Sequence, residues 1–353
     1  MRNLRCVRFL IFIIYSRIVL PLAVQNTRGG EAMAYFIVLI AFLLILFVAA
    51  AAVGTLTVML VHIAIDREVP RFLKGRRGLR DIVKNDEFVD SLCASAKQLE
   101  DACPERVEIC GHGGTRLVGH IFPAEKPERI IIAVHGWRSS WCDDFGIAAD
   151  FFKRTNSTVL FVEQRAQRGS EGEFMSFGVL ERYDVVEWVR FASHNLNSNL
   201  PIYLCGVSMG ATTVLLSSEL GLPENIRGII ADCGFTSVMD IWESVVHKMH
   251  LPFLLMKRFA GKIFEHRVGV SPICCSTLSA MQSCKIPILF IHGEEDGFVP
   301  VEMTYKNYNA CRAKKFLLTV KSANHGMSYY VNRAAYEGAI VNFFKETSLT
   351  QNG

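Results

Sequence analysis

Ile202-Tyr203-Leu204-Cys205-Gly206-Val207-Ser208-Met209-Gly210-Ala211 is the stretch that decides the fold. The apolar run Ile202 to Cys205 predicts a buried strand, the run Ala211 to Leu220 predicts a helix, and Ser208 stands where one becomes the other. A strand that turns at once into a helix strains its junction residue, and glycines two positions either side leave room for the chain crossing. The Ser208 hydroxyl is thereby lifted clear of the sheet. The first free N–H groups of the new helix, Met209's among them, aim at the place where negative charge develops during acyl transfer. A serine that merely caps a helix is the alternative. The strand before and the helix after favour a nucleophile.

Such an elbow calls for an acid and then a histidine downstream, in that chain order. The strand-like Ile286 to Ile291 leads into His292-Gly293-Glu294-Glu295-Asp296-Gly297-Phe298-Val299-Pro300, a carboxylate-rich loop from which Asp296 would orient an imidazole. Glu294, Glu295 and Asp232, at the end of an earlier strand, remain alternatives for the acid. A further strand, Phe316 to Val320, precedes Ser322-Ala323-Asn324-His325-Gly326, which makes His325 the expected general base. The second oxyanion donor is expected after Ile130-Ile131-Ile132-Ala133-Val134-His135-Gly136-Trp137, from the backbone N–H of Gly136 or Trp137. His135 precedes the serine in sequence, and the expected role for it is to brace that loop.

From about Arg106 onward the chain resembles the α/β-hydrolase superfamily. The carriers are His135-Gly136-Trp137, Glu163-Gln164-Arg165 with Gly169-Ser170-Glu171-Gly172, the Ser208 elbow, Ala231-Asp232-Cys233-Gly234-Phe235-Thr236-Ser237, His292 to Pro300, and Asn324-His325-Gly326. Together they look like the serine aminopeptidase and monoacylglycerol lipase branch, and more closely like bacterial membrane-anchored hydrolases of unassigned substrate. The resemblance implies a mostly parallel eight-stranded sheet flanked by helices and a metal-independent hydrolysis with no cofactor. One segment departs from it: where an acid-x-Arg-Gly-aromatic-Gly run is usual, Ala166, Gln167 and Arg168 stand in the middle.

Length and composition fit one enzyme domain with an anchor: 353 residues, half of them hydrophobic, and a net charge of only +4. So mild a basic balance gives no reason to expect a nucleic-acid partner, and no zinc-type cysteine or histidine spacing appears. Eleven scattered cysteines give no sign of a disulfide framework, and several of them fall inside expected strands or helices and read as small buried hydrophobes in a reducing compartment. Residues 34–65 form an uncharged apolar run well beyond the roughly 20 residues that cross a bilayer core, so a transmembrane helix is expected there. Arg67, Arg71, Lys74, Arg76, Arg77, Arg80 and Lys84 follow it, against Arg28 and Arg17 before it. Positive-inside bias then puts the catalytic domain in the cytoplasm of a membrane-bound protein. Residues 1–33 have two readings: Phe9 to Val24 as a marginal second span, or a start at Met33, since Arg28-Gly29-Gly30-Glu31 is what a translated ribosome-binding stretch would yield.

Residues 66–105 read as a basic juxtamembrane segment and helical linker, and 106–348 as the hydrolase domain with strands and helices in alternation. At about 238–283 the alternation breaks, and Trp242, Val246, Met249, Phe253, Leu254, Leu255, Met256 and Phe259 offer more apolar surface than a connection needs. That predicts a small helical cap over the site, with an ordinary sheet-covering helix as the alternative. The expected activity is ester hydrolysis through an acyl-enzyme on Ser208, on a small-molecule ester or acyl substrate of lipid-like character. Its alternatives are an aminopeptidase-like amide hydrolase and a non-catalytic binding module at the membrane.

Overall fold

The computed structural model describes residues 29–68, 85–197 and 199–348. Phe9 to Val24, the other residues before Gly29, and the bases from Arg71 to Lys84 lie outside them. The chain divides into two compact units, Met1–Leu56 and Thr57–Gly353.

In the first unit the described residues belong to the helix Gly29–Ile65, and its apolar side chains from Tyr35 to Val48 stand exposed. Met33–Ile65 is long and apolar enough to cross a membrane. Its polar side chains are Tyr35 near one end and Thr55, Thr57 and His62 near the other, and the residues between Tyr35 and Thr55 are apolar on every face.

The second unit is built on eight strands: β1 Glu105–Cys110, β2 Arg116–Phe122, β3 Arg129–Val134, β4 Ser157–Val162, β5 Ile202–Val207, β6 Ile226–Asp232, β7 Ile288–Gly293 and β8 Lys315–Val320. Their order is β1-β2-β4-β3-β5-β6-β7-β8, antiparallel from β1 through β4 and parallel from β4 to β8. Both faces of the central strands are covered, so β4, β5 and β7 are buried at every residue and read as continuous apolar runs rather than alternating ones. One apolar layer gathers Ile132, Leu204 and Trp188 with the helices Glu181–Asn195 and Met209–Ser217; the other gathers Ile131, Tyr203, Phe161 and Phe343.

The unit also takes in the last turns of the apolar helix. Sequence placed the membrane helix at 34–65 and a linker at 66–105, but Val61 and Ile65 are buried here and Asp66 bridges to Phe174. The described linker contains one helix, Asp86–Asp101, capped at its start by the Asn85 side chain. Between β6 and β7, the helices Val238–Lys248 and Phe253–Val268 make the excursion that the broken alternation pointed to, followed by Thr277–Ser283.

Candidate active site

Ser208 has φ 54° and ψ −117°, the strained junction that the sequence called for. Its backbone is held by an N–H donated to the Asp232 carbonyl at 2.8 Å. The flanking glycines are sterically required. A Cβ on Gly210 would lie 1.9 Å from the Val134 carbonyl oxygen, and one on Gly206 would lie 2.3 Å from the Gly210 oxygen. The elbow therefore closes only because two backbones touch where no side chain can fit.

His325, in the loop after β8, stands with Nε2 2.9 Å from Ser208 Oγ and Nδ1 2.6 Å from Asp296 Oδ2. Ser208, His325 and Asp296 are thus brought together from three separate loops at the carboxyl ends of parallel strands. The other acids are elsewhere. Glu294 and Glu295 are exposed, and Asp232 Oδ2 accepts from the Tyr336 hydroxyl at 3.0 Å instead of from a histidine.

Asp296 is fixed on both oxygens: Oδ1 accepts the N–H groups of Phe298 and Val299 at 2.7 and 2.8 Å, and Oδ2 faces His325 and, at 3.1 Å, His292 Nε2. Burial pushes its carboxyl up, but the charges and hydrogen bonds of His325 and His292 outweigh it and hold the group well below the usual range. His292 in turn is pinned by Thr304 Oγ1 at 2.7 Å. The sequence reading missed this second imidazole, because its role depends on a contact across the loop. Asn324 was missed for the same reason; its Oδ1 accepts from Gly297 N–H and from His325 N–H.

The expected oxyanion donors are narrowed by one. Gly136 N–H donates to Asp144 Oδ2 at 2.6 Å, which removes Gly136 from the three expected donors because its hydrogen is already committed. The N–H groups of Trp137 and Met209 meet no acceptor among the described residues, and both of those residues lie beside Ser208. Asp144 also accepts from the Ser139 hydroxyl, and burial raises its carboxyl to about 6 against those two hydrogen bonds. His135 is fully buried, bonded to Gly136 O and Gln164 N, and burial lowers it to about 4. It is a neutral brace of this loop, as the sequence suggested.

Beside the site, Ala166 and Arg168 take φ 59° and 51°, left-handed backbone at two positions where the resembled pattern carries glycine. Such geometry costs about 1 kcal/mol per non-glycine residue. A buried bidentate pair, Arg165 Nε and a terminal nitrogen to Asp184 at 2.6 and 2.7 Å, holds the segment in place.

An apolar cavity of ≈ 150 Å³ adjoins Ser208 and Trp137, lined on the cap side by Trp242, Val246, Phe253 and Met256. Leu254 and Leu255, which the sequence grouped with these, point outward at 67% and 70% exposure. Their position one and two residues along the helix from Phe253 turns them off the buried face.

No family model matches the chain. A Bacillus subtilis protein, YqkD, itself uncharacterized, is 28% identical over 228 residues, covering 64% of this chain and 73% of its own. YfhR of Escherichia coli O157:H7, also uncharacterized, is 25% identical over 255 residues, 70% of this chain and 83% of its own. Among solved structures, an esterase of Pyrococcus furiosus superposes with a TM-score of 0.58 at 22% identity, over 70% of this chain and 93% of that one. An acylaminoacyl peptidase of Pyrococcus horikoshii gives 0.51 at 16% identity, over 71% of this chain and 42% of that one. With its sheet order, its elbow and these neighbours, the chain has the α/β-hydrolase fold.

Proposed function

We propose that this protein is a membrane-anchored serine hydrolase that cleaves an ester of an apolar acyl group. The observation that carries the reading is the continuous line of hydrogen bonds from Ser208 Oγ through His325 to Asp296, at 2.9 and 2.6 Å. Ser208 Oγ attacks the ester carbonyl while its proton passes to His325 Nε2. Asp296 holds the imidazole through Nδ1–H and stabilises the imidazolium that forms. The carbonyl oxygen, now an anion, takes up the Trp137 and Met209 N–H groups, a contact each worth about 3 to 4 kcal/mol in such sites. Collapse expels the alcohol, which leaves with the proton from His325, and the acyl group remains on Ser208. Water, deprotonated by His325, then attacks the acyl-enzyme and releases the carboxylic acid, returning Ser208 to its starting form.

The apolar cavity beside Ser208 supports an acyl or alkyl group as the recognised part, and the helix Gly29–Ile65 supports attachment to a bilayer. None of the described cavity-lining residues is a carboxylate, so nothing there matches a free amino terminus, and an ester is favoured over an aminopeptidase substrate. With positive-inside bias, Arg67 and the bases after it support a cytoplasmic position for the catalytic unit. Activity profiling on p-nitrophenyl esters of increasing chain length and on aminoacyl amides tests the reading. Turnover of esters with none of the amides supports it; hydrolysis of amides alone would replace it with a peptidase.

A further inference from the structure

We propose that the C-terminal turns of the apolar helix form a wall of the acyl site, so that the substrate's acyl group lies against Leu60, Val61 and Ala64 while attached to Ser208. The inference rests on the serine hydrolase reading and assigns a specificity-determining role to a segment that sequence would count as anchor. The cavity of ≈ 150 Å³ is bounded by Leu60, Val61 and Ala64 from that helix, by Trp242 and Phe253 from the cap helices, and by Ser208. A group covalently held by Ser208 therefore has this helix as a neighbour.

The length of the helix is consistent with a divided task. Its apolar stretch runs 33 residues, Met33–Ile65, where about 20 suffice to cross a bilayer core. The surplus at the C-terminal end, from Thr57 on, belongs to the sheet-bearing unit. There it is fixed by the carbonyls that a helix end cannot pair within itself. Ile63 O accepts from the Arg138 guanidinium at 2.8 Å, Ala64 O from the Trp137 indole N–H at 2.8 Å, and Ile65 O from Met175 N–H at 2.7 Å. Asp66 pairs with Arg267 of the cap at 3.0 Å. The wall is held by the same loop that supplies the Trp137 N–H to the oxyanion and by the cap on the opposite side.

The size of the cavity sets the expected occupant. A dry apolar cavity of about this volume takes a benzene-sized ligand, which corresponds to an acyl chain of about six carbons. The substrate class is thus a medium-chain acyl ester, and narrowing the wall should shorten the preferred chain.

The test is the chain-length profile of the full-length protein in detergent, with p-nitrophenyl acetate, butyrate, hexanoate and octanoate. Leu60→Trp and, at a second position, Ala64→Leu should lower kcat/KM for hexanoate about tenfold or more relative to acetate, the scale of a misfit in an apolar pocket. Leu60→Ala should move the optimum toward octanoate. Met59→Ala, at an exposed position outside the cavity lining, should leave the profile as it was. Fluorophosphonate labelling of Ser208 at the wild-type rate marks each variant as folded. Labelled variants that all keep the wild-type profile overturn the proposal and leave the hydrolase reading intact. A wild-type protein that is neither labelled nor active with any ester overturns the hydrolase reading itself.

Discussion

At the residue scale the proposed chemistry hangs on three side chains, Ser208, His325 and Asp296, whose partners are specific enough to be separated by substitution. Ser208→Ala should abolish labelling by a fluorophosphonate and all ester turnover, and His325→Ala should cost a comparable amount, up to about a millionfold, because such groups act as a unit. Asp296→Asn should keep the fold and lose most of the rate, since an amide cannot hold the imidazole in the same tautomer. Asp232→Asn, by contrast, should stay within several-fold of wild type, because the Asp232 side chain meets Tyr336 and not His325. The same variant carries a pH signature. Burial raises the Asp232 carboxyl from 3.8 to about 6, so folding favours its protonated form; that contribution is full below about 3.8 and is lost as pH rises through about 6. The stability of Asp232→Asn relative to wild type, read by denaturant unfolding, should therefore be about 1 kcal/mol more favourable at about pH 8 than at about pH 5. An unchanged difference would mean that Asp232 is not held protonated.

At the scale of elements, the elbow depends on two backbones in contact where β5 meets its helix. Gly210→Ala would drive a Cβ against the Val134 carbonyl, on the strand that carries the oxyanion loop. We expect the variant to be destabilised by more than about 3 kcal/mol or not to fold, measured by yield and thermal unfolding. A stable, active Gly210→Ala protein would mean that β3 and the elbow are further apart than the structure has them. Hydrophobic pattern was sufficient to place the strands around the site: β5 begins at Ile202 as expected and runs two residues beyond Cys205, and β8, expected from Phe316 to Val320, is observed as Lys315–Val320. Pattern was insufficient for the cap. Apolar content marked the interruption between β6 and β7, yet it did not separate Phe253, which lines the cavity, from Leu254 and Leu255, which are exposed. A run of adjacent apolar residues on a helix points in several directions at once, and only the neighbouring surface selects among them.

At the scale of the whole molecule, the apolar helix should keep the protein in the membrane fraction through a carbonate wash, and protease added to intact cells should spare the catalytic unit. Digestion from outside would reverse the orientation. The division between the two units predicts where the chain can be cut. A version beginning at Thr57 should retain Ser208 labelling. One beginning at Arg67 loses buried Val61 and Ile65 and the carbonyls that hold Trp137 and Arg138, and should be less stable by several kcal/mol, at about 1.5 to 3 kcal/mol per buried aliphatic side chain. Equal melting temperatures of the two versions would show that the helix end is dispensable.

Local order along the chain was enough to give the strand-to-helix elbow at Ser208, the chain order of Ser208, Asp296 and His325, the alternation that builds a parallel sheet, and the apolar helix ahead of it. Each is a property of neighbouring residues or of their order, and so is readable without a structure. Tertiary structure alone brought Asp296, and not Asp232 or the two glutamates, against His325, tied the Gly136 N–H to Asp144, and brought His292 onto Asp296. It also assigned the helix end to the cavity beside Ser208. Those choices turn on which hydrogen bond or apolar contact is completed between segments far apart in sequence, and no periodicity or motif encodes a distance across a fold.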